Sequence, residues 1–201
     1  MTTQKTLEKM YEIKAADAAK DLLIDNLITE LKADLLREEA KKNGTAGKKK
    51  AADNILKQLK HHSNTGGAIT AADGSQIIGG AYSLVKLIEP LPVMPCKNTN
   101  GLPDYNYCLN NARENNGATV HLPTVAELTA FIKERKAEKI KHISYDFGDG
   151  LPLVNAQYLL EIITLIPDAV CITSAKNPLA GSLYFKSKAG EGLLLPERKR
   201  T

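Results

Sequence analysis

Between residues 123 and 195 the chain alternates helix-start signals with short strand-like runs, and that order admits few folds. Pro123 precedes Thr124, and Thr124-Val125-Ala126-Glu127 has capping-box spacing, in which the Thr hydroxyl and the Glu carboxylate each meet an otherwise unpaired backbone N–H. The spacing predicts a helix to about residue 141. Residues 144–147 are strand-like, Asn155 is placed to cap an apolar-rich helix over 155–165, and Pro167 closes that helix. Three short strands, 170–174, 182–186 and 192–195, follow with turn residues between them. Helix, strand, helix and then three strands is an α+β pattern.

The N-terminal part has a different character. Residues 6–40 contain neither Pro nor Gly, and Ile24, Leu27, Ile28, Leu31 and Leu35 recur at three- and four-residue steps. This predicts a long amphipathic helix over much of 1–42, broken once at most, whose apolar stripe is covered by the rest of the chain or by a second copy. Residues 43–50, with two glycines, three lysines and no large apolar residue, read as a flexible linker and a boundary. A helix–strand segment is expected over 51–95. It comprises a short helix over 51–61, strands at 68–71 and 75–78 around an Asp73-Gly74 turn of type I′, and a strand over 82–87. The prolines of the segment after it exclude a central strand. Residues 96–122 are polar and read as loop with one turn of helix, ahead of the unit at 123–201.

Composition narrows the function classes. Lys and Arg number 27 against 23 Asp and Glu, so any attraction to phosphate must come from clustering. No basic segment leads into an apolar run, and no stretch approaches about 18 uninterrupted apolar residues, so neither export nor a membrane span is expected. Cys96, Cys108 and Cys171 are an odd number without metal-knuckle spacing, which suits reduced thiols in a cytoplasm.

Several short patterns have plain explanations. Gly44-Thr45-Ala46-Gly47-Lys48 lacks the glycine interval of a phosphate loop, and Asp146-Phe147-Gly148 has none of the companions of a kinase triplet. Adjacent His61 and His62 point about 100° apart on a helix and suit one metal ion poorly, and His121 and His142 stand alone. Asp146 and Asp149 flank a glycine-rich turn and read as turn formers, and Cys108 and Cys171 lie in apolar stretches that predict burial. No convergent catalytic set appears, and no cofactor or metal is expected.

The strongest functional signal is lysine clustering: Lys41, Lys42, Lys48, Lys49, Lys50, Lys57 and Lys60 are accompanied only by Asp53. Such a segment engages phosphates, or else is a solvated linker. On the capped helix, Lys133, Lys136 and Lys139 stand in a modest basic excess, as on ordinary surface helices.

The C-terminal part also resembles a known family. Val154-Asn155-Ala156-Gln157-Tyr158-Leu159-Leu160, then Pro167-Asp168-Ala169-Val170, then Leu193-Leu194-Leu195-Pro196-Glu197-Arg198 resemble the close of a bacterial DNA polymerase sliding-clamp subunit. Leu102-Pro103-Asp104-Tyr105 looks like the linker motif before the last clamp domain, and Gly80-Ala81-Tyr82-Ser83-Leu84 sits where clamps carry a D-G-[HY]-R-L turn. The resemblance spans about residues 51–198, strongest from Asn155 onward, and a truncated relative of this kind suits a phage or mobile element in a bacterial host. It implies a non-enzymatic protein that binds duplex DNA, DNA-processing proteins, or both. It also implies a peptide pocket walled by Gly80, Ala81, Tyr82, Leu84, Pro103, Cys108, Leu193, Leu195, Pro196 and Arg198, with basic helices turned to DNA. This sequence departs from the family in lacking a full first domain, in Glu197 at an apolar pocket position, and in Gly-Ala-x-Ser for D-G-x-R. A second reading is an anti-CRISPR-like inhibitor that occupies a host nuclease or its DNA channel.

Overall fold

The computed structural model describes residues 3–16, 21–59, 67–96, 99, 102–148 and 150–197. Its elements are α1 (Thr3–Ala16), α2 (Asp21–Lys42), α3 (Ala46–Lys57), β1 (Ile69–Thr70), β2 (Gln76–Gly79), β3 (Ser83–Leu87), α4 (Tyr105–Arg113), β4 (Thr119–Val120), α5 (Val125–Ala137), β5 (Ser144–Asp146), β6 (Leu153–Asn155), α6 (Ala156–Leu165), β7 (Val170–Ile172), β8 (Leu183–Lys186) and β9 (Gly190–Leu194). Seven strands form one sheet in the order β1-β2-β3-β9-β8-β7-β4, and β5 pairs only with β6. The fold is α+β, with every strand pairing in these sheets antiparallel.

Strand alternation splits the core in two. One face of the sheet turns Ile78, Val85, Leu87, Leu183, Phe185 and Leu194 toward α3, α5 and α6, and the opposite face turns Ile77, Leu84, Tyr184 and Leu193 toward Tyr105, Leu109 and Ala112 of α4. The register also shows an approximate twofold relation. A half turn about the Val85↔Gly192 pair carries the β2–β3 pair Ile77↔Lys86 onto the β8–β9 pair Tyr184↔Leu193. Each half runs helix and then three antiparallel strands, and the two helices, α3 and α6, pack on one another.

Local chemistry explains the ends of the elements. Thr124 and Glu127 form the expected capping box, and Asn155 accepts from the backbone N–H groups of Gln157 and Tyr158 at the start of α6. The strands around Asp73-Gly74 form as expected, but only Gly74 has positive φ (80°), so the turn is not of type I′. Gly74 N–H donates to Ala71 and Asp73 accepts from Ser75 N–H, the arrangement of a three-residue hairpin loop with glycine in the left-handed position. Lys86, 2.7 Å away, together with Ser75, holds the Asp73 carboxyl well below the usual carboxylate range.

The N-terminal helical region holds two helices, within the one break allowed for, and Leu7 of α1 packs with Ile24 and Ile28 of α2, with Met10, Leu31 and Leu35 around them, so the stripe is covered within the chain. Three further expectations are corrected. The lysine segment is not a flexible linker. The chain reverses at Asn43 and Gly44, and residues 46–50 are already helical because α3 gains from packing along α6, which overrides the weak helix propensity of Gly47. The polar stretch at 96–122 holds a nine-residue helix, α4, capped by Asp104, and a strand, β4. A hairpin, β5–β6, precedes α6 where only its first strand was expected, and Asp146 accepts from Gly148 N–H in its turn, as a turn former should.

Glu161 of α6 is 3 % exposed at the α3–α6 seam, and its Oε2 has no hydrogen-bond partner. Burial pushes its carboxyl up to about 7 against the opposing influence of Gln157, Asn54, Gln58 and Lys57. A carboxyl that holds its proton more tightly folded than unfolded lends its full stability below the unfolded value and loses it as pH rises through the folded one. Stability should therefore fall by about 3 kcal/mol between roughly pH 4.5 and pH 7, and Glu161→Gln should flatten that slope. Urea titrations at a series of pH values check this, and an unchanged slope in the variant would refute it.

Candidate functional site

Two concave regions collect the residues singled out from the sequence. The first lies on the α4 side of the sheet, where β3 meets β9. The pairing Leu84↔Leu193 and the hydrogen bond from Leu195 N–H to Tyr82 O (2.9 Å) bring the β2–β3 turn against the end of β9. Asp104 caps α4 and sets Tyr105, Cys108 and Asn111 on one helical face over them. A pocket of about 240 Å³ results, lined by Gly80, Ala81, Tyr82, Leu84, Pro103, Cys108, Leu193 and Leu195, with Ser83, Tyr105, Asn111 and Ser182 completing it.

The pocket wall is held from behind. Gln58 of α3 accepts from Tyr82 N–H (3.2 Å) and donates to the Ser83 hydroxyl (2.8 Å), and the Tyr82 ring stacks on Tyr158 of α6 at 5.8 Å and 8°. A side chain at Gly80 would strike Gln58 Oε1 and lie 2.7 Å from the Ile55 carbonyl oxygen, so the turn approaches α3 as closely as glycine allows. Gly79 likewise makes room for the Tyr105 ring. The Tyr105 hydroxyl is buried without a hydrogen-bond partner, and burial, followed by the nearby Cys96 and Cys108 thiols, pushes its pKa up to about 12. It is a protonated donor at neutral pH. On the rim, Tyr82 and Leu195 are 53 % and 42 % exposed.

Opposite the sheet, α4 is fastened by an ion pair. Arg113 Nε donates to Glu191 Oε2 at 2.8 Å, its Nη2 donates to Oε1, and the Tyr184 hydroxyl donates to Oε2 at 2.8 Å. Burial works to raise the Glu191 carboxyl, but the hydrogen bonds from Arg113 and Tyr184 outweigh it and leave it below the usual carboxylate range.

The second region is a cleft of about 250 Å³ between α2 and α3, lined by Arg37, Lys41, Lys49, Lys50, Asp53 and Lys57 with Ala40, Ala46 and Asn54. The lysine cluster is divided. Lys49 is buried against Asp53 at 2.8 Å rather than presented to solvent, and Lys48 lines a different depression with Glu89 and Lys188. Lys42 lies at the end of α2 outside the cleft. Lys133, Lys136 and Lys139 are exposed at α5, which packs on α6, and do not join these residues.

No family model, no curated protein and no solved structure matches this chain. The site therefore rests on its own geometry. Of the residues expected at a peptide pocket, Pro196 is not among those lining it, and the next residue joins β6, with Glu197 N–H donating to Leu153 O at 2.7 Å. Arg198 and Lys60, with His61, His62 and Asp149, lie outside the described residues. Cys171 is buried, and burial pushes its thiol up to about 12, which makes it a core residue. Sequence reasoning missed Tyr105 and Asn111, although Asp104 as a cap announces their helix, and it missed Arg37, which stands one turn before Lys41.

A further groove, of about 610 Å³, runs between β4, the start of α5 and the Pro167–Val170 turn, and holds none of the residues singled out as sites. Among the described residues, no cluster of His, Cys, Asp or Glu has the arrangement of a metal centre, and no helix is long and apolar enough to cross a membrane.

Gly80→Ala should cost about 2–3 kcal/mol, because the added methyl meets the backbone of α3, which cannot step aside as a side chain can. Gly74→Ala meets no neighbouring atom and should cost only the strain of a positive φ, about 1 kcal/mol. Equal losses for the two in denaturant unfolding would contradict the close packing behind the pocket.

Proposed function

We propose that this chain is a sliding-clamp-like binding protein, without catalytic activity of its own, that docks a short linear segment of a DNA-processing protein in the pocket between β3, β9 and α4. One observation carries the reading. Residues far apart in sequence, drawn from the β2–β3 turn, the segment before α4 and the end of β9, converge on one small, mainly apolar concavity. These are positions at which the clamp resemblance implies peptide contacts.

The chemistry of the pocket fits that use. Its floor is Leu84 and Leu193, its rim carries Tyr82 and Leu195, and an exposed rim of this kind is covered favourably by an apolar side chain. A volume of about 240 Å³ suits one or two side chains rather than a folded surface. The exposed Asn111 amide supplies a polar group to orient a peptide backbone, while the Tyr105 and Ser83 hydroxyls are buried in the wall. With its hydroxyl buried and its pKa near 12, the Tyr105 phenol stays protonated within the wall at neutral pH and offers no base for proton transfer.

The test uses labelled peptides of about eight residues carrying two spaced apolar side chains, taken from the binding segments of bacterial polymerases and repair proteins, in fluorescence polarisation. Tyr82→Ala removes the stacked wall and Leu195→Asp places a carboxylate on the apolar rim. Each should weaken binding at least tenfold, about 1.4 kcal/mol, without lowering the melting temperature by more than a few degrees. Peptides that bind both variants as well as the parent chain would remove this reading.

A further inference from the structure

The α2–α3 cleft carries an electrostatic cost that the rest of the fold does not explain. Its lining brings Arg37 and Lys41 from α2 to Lys49, Lys50 and Lys57 from α3, and the one carboxylate lining it is Asp53. That carboxylate is engaged by Lys49, whose side chain is 6 % exposed and whose ammonium lies 2.8 Å away. Arg37 pairs with Asp34 on its own helix. Lys41, Lys50 and Lys57 show no ion pair among the described residues; Lys57 meets the neutral amide of Asn54, at 3.4 Å, and acts electrostatically on the buried Glu161.

Three exposed ammonium groups thus face one depression across two helices. Lys50 adds to the cost, because it follows Lys48 and Lys49 in the first turns of α3, where the helix dipole favours acids and the first turn holds none, while Lys41 and Lys57 stand in last turns, which favour cations. Residues set against a local rule without an internal compensation mark a place where something outside the fold provides it.

The buried Lys49–Asp53 pair forms a rigid polar wall for this cleft, and the open lysines stand on two helices rather than on a loop. From this arrangement we infer that the cleft binds phosphate groups, with Lys41, Lys50 and Lys57 as the contacting cations and Lys49 with Asp53 as the fixed wall. Free phosphate and a nucleic-acid backbone present the same chemistry here, a tetrahedral anion that accepts several N–H donors. The site is separate from the peptide pocket, and either can fail without the other.

The experiment uses the full chain, its Lys41→Gln/Lys50→Gln/Lys57→Gln variant, and a Lys133→Gln/Lys136→Gln/Lys139→Gln variant as control. In the first arm, melting temperature is followed as inorganic phosphate is added against chloride of equal ionic strength. The parent chain and the α5 variant should rise with phosphate, the cleft variant should not, and the ligand-free cleft variant should melt no lower than the parent because mutual repulsion has been removed. In the second arm, a labelled mixed-sequence duplex of about 20 base pairs is titrated at several salt concentrations. If a nucleic-acid backbone supplies the phosphates, the slope of log Kd against log salt should fall by about 3 in the cleft variant and stay unchanged in the α5 variant. A phosphate response without duplex binding identifies free phosphate as the source. Identical phosphate and duplex responses in the parent and the cleft variant would overturn the inference, as would a loss confined to the α5 variant. The Tyr82→Ala chain should keep the full phosphate response, which separates this result from the peptide reading.

Discussion

Five consecutive pairs, from Ser83↔Leu194 to Leu87↔Gly190, join β3 to β9 at the centre of the sheet. Everything else in the α+β unit is arranged about this seam. It joins two halves that each run from a helix into three antiparallel strands, and it allows α3 and α6 to pack side by side over one face. Because side chains alternate along a strand, the same pairing fixes which residues enter each core. Val85, Leu87 and Leu194 go under the helices, while Leu84 and Leu193 go to the α4 side and become the pocket floor.

The pocket and the basic cleft occupy different seams, and different forces shape them. At the pocket, apolar surface is left partly open because α4 covers only part of the β3–β9 face. Its position is fixed at one end by the Asp104 cap and at the other by Arg113 on Glu191. At the cleft, α2 lies outside the sheet unit and meets α3 over a short contact, bringing like charges together. Between the two, Gln58 reaches from α3 to the β2–β3 turn, and Tyr158 reaches from α6 to Tyr82. The wall of the pocket therefore depends on the same helix pair that buries Glu161. The group whose burial sets the pH dependence of stability thus sits on the helix pair that supports the pocket wall.

How much of this was legible in the sequence depended on whether the signal was local. Thr124 with Glu127, Asn155 ahead of its apolar helix, and the turns around β7, β8 and β9 are decided by neighbours a few residues away, and they could be read directly. The hairpin at Asp73-Gly74 was legible as two strands, while its turn geometry depended on the side-chain contacts of Asp73 with Ser75 and Lys86. Tertiary burial decided the rest. Gly47 and its lysines read as a linker because nothing near them in sequence reveals the packing of α3 along α6, and Lys49 could not be separated from its exposed neighbours without its contact to Asp53. The α4 helix is hidden in a polar stretch, although Tyr105, Leu109 and Ala112 keep helical spacing and bury together. The residues of the concavity are scattered along the chain and only the β3–β9 register makes them neighbours, so the sequence groups them solely through the clamp resemblance.

That register is the claim most open to direct test. Nuclear Overhauser contacts between β3 and β9 in isotope-labelled protein report it without a ligand or a substitution. The arrangement described here requires cross-strand contacts linking Leu84 with Leu193 and Val85 with Gly192, with further contacts placing Tyr82 beside Leu195. A shift of the pairing by one residue would send Leu84 and Leu193 to opposite faces, and that pattern, or an absence of contacts between the two strands, would contradict the account of the pocket.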